Sequence, residues 1–243
     1  MTTAFLMPAE YALHECTWMA WPSSTKNSKK AWKVPGFERM LENVTQVIRA
    51  IALFEPVKVL VGNKSDIQTA NGHIFVEPFP PHAISYHICA TDDNIWLRDI
   101  GPTFVLSHDH YQLCGVCWVF NSWGQKFSPW DNDAKVGNSV SEMADAGQVY
   151  KSSLTVEGGS IHSDGEGTIL ITETSVLNKN RNPNWTKEDI EDELKRTLGA
   201  QVGVADLFLY LAMKISSSHV FKVIFLKIFD NYMELSSCKM SRL

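Results

Sequence analysis

The 243-residue sequence lacks the patterns that mark several large classes of protein. It has no glycine-rich phosphate-binding loop, so we expect no nucleotide cofactor, and no other cofactor motif is present. A net charge of −5 speaks against nucleic acid as a partner, because phosphate binding depends on clustered Lys and Arg. The spacing of the five cysteines does not suggest a disulfide framework. The N-terminus shows no positively charged segment followed by an apolar one, which is the pattern of a secretion signal. We therefore expect a reducing, cytoplasmic setting.

Long apolar runs are also missing. The most apolar stretch, residues 204–229, is interrupted by Lys214, Lys222 and Lys227 and by three consecutive serines. A membrane-spanning helix needs about 20 mostly apolar residues, so we expect no membrane span. With 44% hydrophobic and 20% charged residues, the composition is globular, and the length suits one large domain or two small ones.

Short apolar runs alternate with amphipathic stretches, which predicts an α/β fold. Strands are expected at 17–21, 57–61, 74–76, 111–120, 154–161 and 168–172, a loop at 23–33, and helices at 37–51, 133–146 and 186–199. The last helix has the clearest signals, since Thr186 with Asp189 resembles a capping box and Gly199 is a natural C-cap. An Asp-Gly turn at 164–165 predicts a hairpin between the last two strands.

Charged and aromatic side chains are densest in residues 91–104. Five of them fall within eight residues: Asp92, Asp93, Trp96, Arg98 and Asp99. Because apolar residues lie between them, we expect part of the segment to be buried. Burial of an unpaired charge costs free energy. We therefore interpret Arg98 as a structural partner of a neighbouring carboxylate.

A second acidic position, Glu157, ends an apolar run and is followed by two glycines. Paired glycines let the backbone turn sharply and let a ligand approach without meeting a side chain. Glu157 is therefore a candidate ligand-contacting residue.

Cys114 and Cys117 lie three positions apart in a predicted strand and so face opposite sides of it. Since no second cysteine pair exists, we interpret them as buried thiols and expect no metal site.

Four motifs, taken together and in order, resemble those of the agmatine deiminases. They are Asp-Asp-Asn-Ile-Trp-Leu-Arg-Asp-Ile-Gly-Pro-Thr-Phe at 92–104, Phe-Asn-Ser-Trp-Gly at 120–124, Glu-Gly-Gly-Ser-Ile-His-Ser-Asp-Gly-Glu-Gly-Thr at 157–168 and Leu-Asn-Lys-Asn-Arg-Asn-Pro at 177–183. Met-Pro-Ala-Glu at 7–10 and Trp-Met-Ala-Trp-Pro at 18–22 fit as well. The resemblance covers residues 7–200, which predicts the N-terminal part of a deiminase-like domain there and a divergent tail at 201–243.

The fold that this resemblance implies is a pentein α/β propeller of ββαβ units, here incomplete and without its C-terminal blades. The implied reaction is hydrolysis of the guanidinium of agmatine, a small molecule, to N-carbamoylputrescine and ammonia. Asp99 would bind the guanidinium, Trp96 would line the substrate pocket, and Glu157 would be the acidic catalytic residue. His162 is interpreted as a hairpin histidine that faces partly to solvent.

The chemistry of this reaction explains the residues it needs. A guanidinium is planar and resonance-stabilised, so its carbon is a poor electrophile. Carboxylates at its edges hold it by charge-assisted hydrogen bonds and leave the carbon open above and below. A thiolate can then attack, and a His gives a proton to the leaving ammonia. In the family, a His-x-Asp pair after the third helix and a Gly-Asn-x-His-Cys segment near the C-terminus supply these groups.

Neither of those two motifs occurs after residue 201, and Cys238 lacks the surrounding glycines. Two hypotheses follow: a deiminase by lineage that keeps half of its site, or a non-catalytic truncated isoform that acts as a binding or association partner. A third hypothesis is peptidyl-arginine specificity, because bacterial deiminases of that kind have similar motifs. The isolated chain is expected to show no turnover. It is also expected to be poorly soluble or to form homo-oligomers, because an open propeller exposes sheet edges and apolar surface.

Overall fold

The computed structural model describes residues 5–23, 36–92, 95–107, 112–201 and, by backbone alone, 223–226. The strands are β1 Phe5–Leu6, β2 Thr17–Ala20, β3 Val57–Val61, β4 Ile84–Ile88, β5 Thr103–Ser107, β6 Leu113–Val119, β7 Gln148–Thr155, β8 Ile161–Ser163, β9 Ile169–Thr172 and β10 Val223–Leu226. The helices are α1 Gly36–Ile51, α2 Lys64–Ile74, α3 Leu97–Ile100, α4 Ser122–Gln125, α5 Asp133–Met143, α6 Glu173–Val176 and α7 Lys187–Leu198, and a 3-10 turn spans Gly158–Ser160. The α/β class expected from the sequence is confirmed.

The chain divides into two compact units, each with its own buried apolar core. Unit 1 comprises residues 1–10, 103–118 and 146–243, and unit 2 comprises residues 11–102 and 119–145. The incomplete propeller and the domain boundary at residue 200 remain predictions.

Unit 2 is built on a parallel sheet of strand order β2-β3-β4. Parallel neighbours need a crossover connection, and α1 and α2 lie in those connections. The three-four spacing of apolar residues in α1 is confirmed, since its buried residues include Met40, Leu41, Val44 and Ile48. Val47 departs from the expected stripe and is 46% exposed.

The strand predicted at 74–76 is wrong, because residues 64–74 form helix α2. The side-chain oxygen of Asn63 accepts hydrogen bonds from the backbone N–H groups of Ser65 and Asp66 at 2.9 and 3.2 Å, which starts the helix. Gly72 and the polar composition of the segment weaken its helical pattern. The cap at Asn63 was therefore the stronger sequence signal.

Unit 1 contains a four-stranded sheet of order β1-β5-β6-β7, in which β5 is antiparallel to both β1 and β6. Strand β6 is covered on both faces: Cys114 is fully buried, and Cys117 is 7% exposed. The interpretation of these two cysteines as buried thiols is confirmed.

The second sheet of unit 1 has the order β10-β9-β8, with antiparallel pairs. The predicted hairpin is confirmed as β8 and β9. The single strand expected at 154–161 is wrong: β7 ends at Thr155, and the two glycines form the 3-10 turn before β8 begins. Glu157 therefore lies at the start of a turn and not inside a strand.

Helix α7 has the termini that the sequence predicts. Thr186 and Asp189 form a capping box, and Gly199 ends the helix in the left-handed conformation with φ of 69°. A side chain at Gly199 would also collide with the carbonyl oxygen of Phe5. The predicted stripe is fully buried in the core of unit 1: Ile190, Leu194 and Leu198.

Some sequence predictions lie outside the described residues. They concern most of the loop at 23–33, Tyr111 and nearly all of the tail, including Cys238. Within the described ranges, no helix is both long enough and apolar enough to cross a membrane.

Candidate active site

Asp99 lies in α3, a single helical turn in unit 2. The carbonyl oxygen of Trp96 accepts hydrogen bonds from the N–H groups of Asp99 and Ile100 at 2.9 and 3.3 Å, which forms the turn. Ile100 is buried and anchors the turn, whereas the Trp96 side chain is 56% exposed. The turn therefore holds a half-buried carboxylate beside an exposed indole.

Trp123 orients the carboxylate of Asp99. Its indole Nε1–H donates a hydrogen bond to Asp99 Oδ2 at 3.0 Å. Phe120 and Phe127 pack edge-on against the indole, with ring centroids at 5.2 and 5.9 Å. The motifs at 92–104 and 120–124 thus meet in unit 2. No role for Trp123 was predicted from the sequence, because no local pattern pairs an indole with a carboxylate 24 residues away.

The backbone that carries Trp123 is a left-handed turn, α4. Four consecutive residues have positive φ: Ser122 at 54°, Trp123 at 54°, Gly124 at 86° and Gln125 at 63°. Asn121 supports the turn, since its side-chain oxygen accepts from Gly124 N–H at 2.9 Å and its carbonyl accepts from Gln125 N–H at 2.7 Å. For a non-glycine residue this conformation costs about 1–2 kcal/mol. Backbone strain of this kind is concentrated at functional sites.

Asp92, in the same acidic motif, has a structural role. Its Oδ2 accepts from the backbone N–H of Asn132 at 2.6 Å, and its Oδ1 accepts from the Asn132 side chain at 2.9 Å. In return, Asp133 Oδ1 accepts from the N–H of Asp92 at 2.8 Å. Asp92 thus fixes the start of α5, where a negative charge is favourable.

Glu157 is a buried carboxylate in unit 1 and is only 4% exposed. Arg181 donates from Nε to Glu157 Oε1 at 2.8 Å, and the Arg181 side chain is itself 10% exposed. A second Arg181 nitrogen donates to Asn180 Oδ1 at 2.8 Å. The charge of Glu157 is therefore balanced inside the protein.

Asn182 holds the segment that carries Arg181. Its Nδ2 donates to the carbonyls of Thr155 and Val176 at 2.7 and 2.8 Å, and its Oδ1 accepts from Thr155 N–H at 2.9 Å. The motifs at 157–168 and 177–183 thus meet through the pair of Glu157 and Arg181, and Asn182 ties the second motif to the end of β7 at Thr155. Both residues were part of a motif in the sequence, but neither was assigned a role.

Three of the described cysteines are not poised as nucleophiles. Burial raises the pKa of the Cys16, Cys89 and Cys114 thiols above the ordinary range. The thiolate is the reactive form, so these side chains stay protonated near neutral pH. No group of three or more His, Cys, Asp or Glu among the described residues could hold a metal ion.

The remaining candidates are placed as follows. His162 is exposed on β8, which confirms its interpretation as a solvent-facing hairpin histidine. Arg98 is exposed, and its pairing with a carboxylate remains a prediction. Asp99 and Trp96 lie in unit 2 and Glu157 in unit 1, and their roles as site residues also remain predictions.

Comparison with known proteins places these motifs in a family. The model of the Porphyromonas-type peptidyl-arginine deiminases matches residues 6–205. The agmatine deiminases of Pseudomonas putida and Pseudomonas fluorescens are each 37% identical to the chain, over 82% and 80% of its length and 52% and 50% of theirs. The structure of the agmatine deiminase of Enterococcus faecalis matches with a TM-score of 0.70 at 35% identity, covering 82% of this chain and 52% of that one.

The chain spans about half the length of the curated relatives it matches. The matched part contains every motif described above and both candidate carboxylates. By its match over residues 6–205, the chain belongs to the Porphyromonas-type peptidyl-arginine deiminase family.

Proposed function

We propose that the chain supplies the substrate-holding carboxylates of an agmatine deiminase, which hydrolyses agmatine to N-carbamoylputrescine and ammonia. One observation carries this proposal. The Asp99 carboxylate lies on the short helical turn α3, close in sequence to the exposed Trp96, and accepts a hydrogen bond from the indole N–H of Trp123. The relatives named agmatine deiminase support the choice of substrate.

The two carboxylates suit a guanidinium in different ways. Asp99 has a fixed plane, and a guanidinium presents parallel N–H groups that match such a plane. Glu157 is buried and paired through Oε1 with Arg181. Its other oxygen, Oε2, accepts no hydrogen bond from any residue that the structure describes. A substrate N–H can bind there. In unit 2, the side chain of Trp96 is 56% exposed, and an indole suits a cation or an alkyl chain.

Holding the substrate is only half of the reaction. Attack on the guanidinium carbon needs a thiolate and a proton-donating His, and the thiols of Cys16, Cys89 and Cys114 are protonated near neutral pH. The family motifs that supply both groups are missing after residue 201. The isolated chain therefore binds agmatine without hydrolysing it.

Calorimetric titration with agmatine tests the binding part of this proposal. Asp99→Asn should weaken binding at least tenfold, because a charge-assisted hydrogen bond contributes about 1.5–3 kcal/mol. Asp131→Asn, which removes an exposed carboxylate in the same unit, is the matched control and should bind normally. Equal binding by Asp99→Asn and the unchanged protein would refute the role of Asp99.

The same comparison applies to Glu157. Glu157→Gln should weaken agmatine binding, and Glu166→Gln, an exposed position in the same unit, should not. A loss of affinity in both variants would point to a general effect of charge and against a specific contact.

Peptidyl-arginine is a second candidate substrate class, favoured by the family match. Titration with an arginine amide blocked at both ends distinguishes it, because this ligand carries the guanidinium but no free ammonium. Tighter binding of the blocked arginine than of agmatine would favour the peptidyl substrate.

We also propose a cytoplasmic location and self-association of the chain. Large apolar side chains that are more than half exposed support the second point: Tyr11, Leu13, Leu53, Phe54, Phe79 and Phe127. Sedimentation velocity should show species larger than a monomer, and a compact monomer at all concentrations would contradict the proposal.

A further inference from the structure

We propose that Trp123 makes the Asp99 position selective for a guanidinium over an ammonium by fixing the plane of the carboxylate. This inference rests on the proposed function, in which Asp99 contacts the substrate. It adds a positioning residue and a reason why one end of the substrate, and not the other, reaches Asp99.

Trp123 has few ways to move. Two phenylalanines pack edge-on against its ring at 5.2 and 5.9 Å, and its backbone lies in a left-handed turn closed by Asn121. The φ of 54° at Trp123 is rare for a bulky residue and persists only when the surroundings impose it. The surroundings therefore determine where the Nε1–H points.

The direction of Nε1–H in turn fixes Asp99. A carboxylate is free to rotate about its last side-chain bond unless a donor holds one of its oxygens. The hydrogen bond from Nε1 to Oδ2 at 3.0 Å is such a donor. Each carboxylate oxygen has two acceptor sites, and the indole N–H uses one of the two on Oδ2. The indole thus sets the carboxylate plane without occupying the oxygen completely.

The two cationic groups respond differently to a fixed plane. A guanidinium is rigid and binds both oxygens only when its plane and the carboxylate plane coincide. An ammonium is a compact charge with three donors that rotate, so it gains little from a fixed plane. Agmatine carries one group at each end. A carboxylate held by Trp123 therefore favours the end that must be hydrolysed.

Trp123→Phe tests this directly, because it removes the N–H and keeps an aromatic ring between Phe120 and Phe127. Affinities for agmatine and for 1,4-diaminobutane, which has an ammonium at both ends, are measured by calorimetry on the full chain. We expect the preference for agmatine over the diamine to fall about tenfold, through weaker agmatine binding alone. A purely structural role would weaken both ligands equally and leave the preference unchanged, which would overturn the proposal.

Trp118→Phe is the matched control. Its indole Nε1–H also donates to a side-chain oxygen, Thr103 Oγ1 at 2.8 Å, but in unit 1. This variant should keep the full preference for agmatine, and an equal loss in both variants would contradict the proposal. If Trp123→Phe does not fold, a benzothienylalanine at position 123 replaces the N–H by sulfur at nearly constant shape and should give the same loss of preference.

The failure of this inference differs from the failure of the proposed function. No binding of agmatine by the unchanged chain would overturn both. In a second outcome, the chain binds agmatine and Asp99→Asn weakens that binding, but the preference for agmatine over 1,4-diaminobutane is the same with and without the indole N–H of Trp123. This outcome would overturn only the role of Trp123.

Discussion

At the scale of single residues, the buried pair of Glu157 and Arg181 has the largest energetic consequence. Both side chains lie inside the protein, and the Nε to Oε1 distance is 2.8 Å. A buried pair adds little net stability over apolar residues of the same volume, but removal of one partner leaves an uncompensated charge. Loss of either partner should therefore destabilise unit 1.

Arg181→Met keeps most of the apolar stem and removes the charge. We expect the free energy of unfolding, measured by urea denaturation, to fall by about 3–5 kcal/mol. Arg196→Met is the control, because Arg196 is half exposed and its pair with Glu193 should contribute no more than about 1 kcal/mol. Similar losses in the two variants would show that the Glu157 charge is not isolated by burial.

The protonation of the cysteines gives a second test at this scale. Burial raises the pKa of the Cys89 and Cys114 thiols in the folded protein, so both stay protonated near neutral pH. The stability that each buried thiol contributes is fully present below the pKa of the thiol in the unfolded chain. It is lost as the pH rises through the higher pKa of the folded state. We expect iodoacetamide to label Cys89 and Cys114 in the native protein much more slowly at neutral pH than in the denatured chain. Mass spectrometry of the labelled peptides measures this. Labelling of either thiol at the denatured rate would show a reactive cysteine that the structure does not account for.

The contrast between the predicted and the missed site residues has a physical cause. The resemblance to the agmatine deiminases assigns Asp99 its role, and Glu157 also stands out locally because two glycines follow it. Their partners, Trp123 and Arg181, each lie 24 residues further along the chain. Only the path of the intervening backbone brings them close, and no spacing rule in the sequence describes that path.

At the scale of elements, capping and hydrophobic spacing could be predicted where local chemistry decides them. The capping box and C-terminal glycine of α7 were predicted correctly for this reason. The turn α4 could not be predicted, because serine, tryptophan and glutamine disfavour a left-handed conformation by themselves. Aromatic packing and the support of Asn121 impose it instead.

Gln125→Gly tests the strain in α4. Relief of the positive φ at this exposed position should gain about 1–2 kcal/mol, and the greater freedom of glycine in the unfolded chain should cost about 0.5–1 kcal/mol. We therefore expect a small increase in the free energy of unfolding, measured by denaturant titration. Gln148→Gly, at an exposed position in β7, should be destabilising. Destabilisation of equal size at both positions would contradict a strained turn.

At the scale of the whole molecule, the chain consists of two units and about half of the length of its relatives. The α/β class followed from the alternation of strands and helices, but the division into units did not. Each unit is assembled from segments that are distant in the sequence, such as 1–10 and 103–118 in unit 1. Local patterns do not record which distant segments pack together.

Under the proposed function, this chain holds the guanidinium of agmatine and does not attack its carbon. Carbon-13 NMR of agmatine labelled at the guanidinium carbon tests both parts in one experiment. We expect the guanidinium resonance to broaden or shift when the protein is added, to do so less with Asp99→Asn, and never to convert to the resonance of a ureido carbon. A ureido signal that grows with time, or a guanidinium resonance that the protein leaves unchanged, would contradict the account.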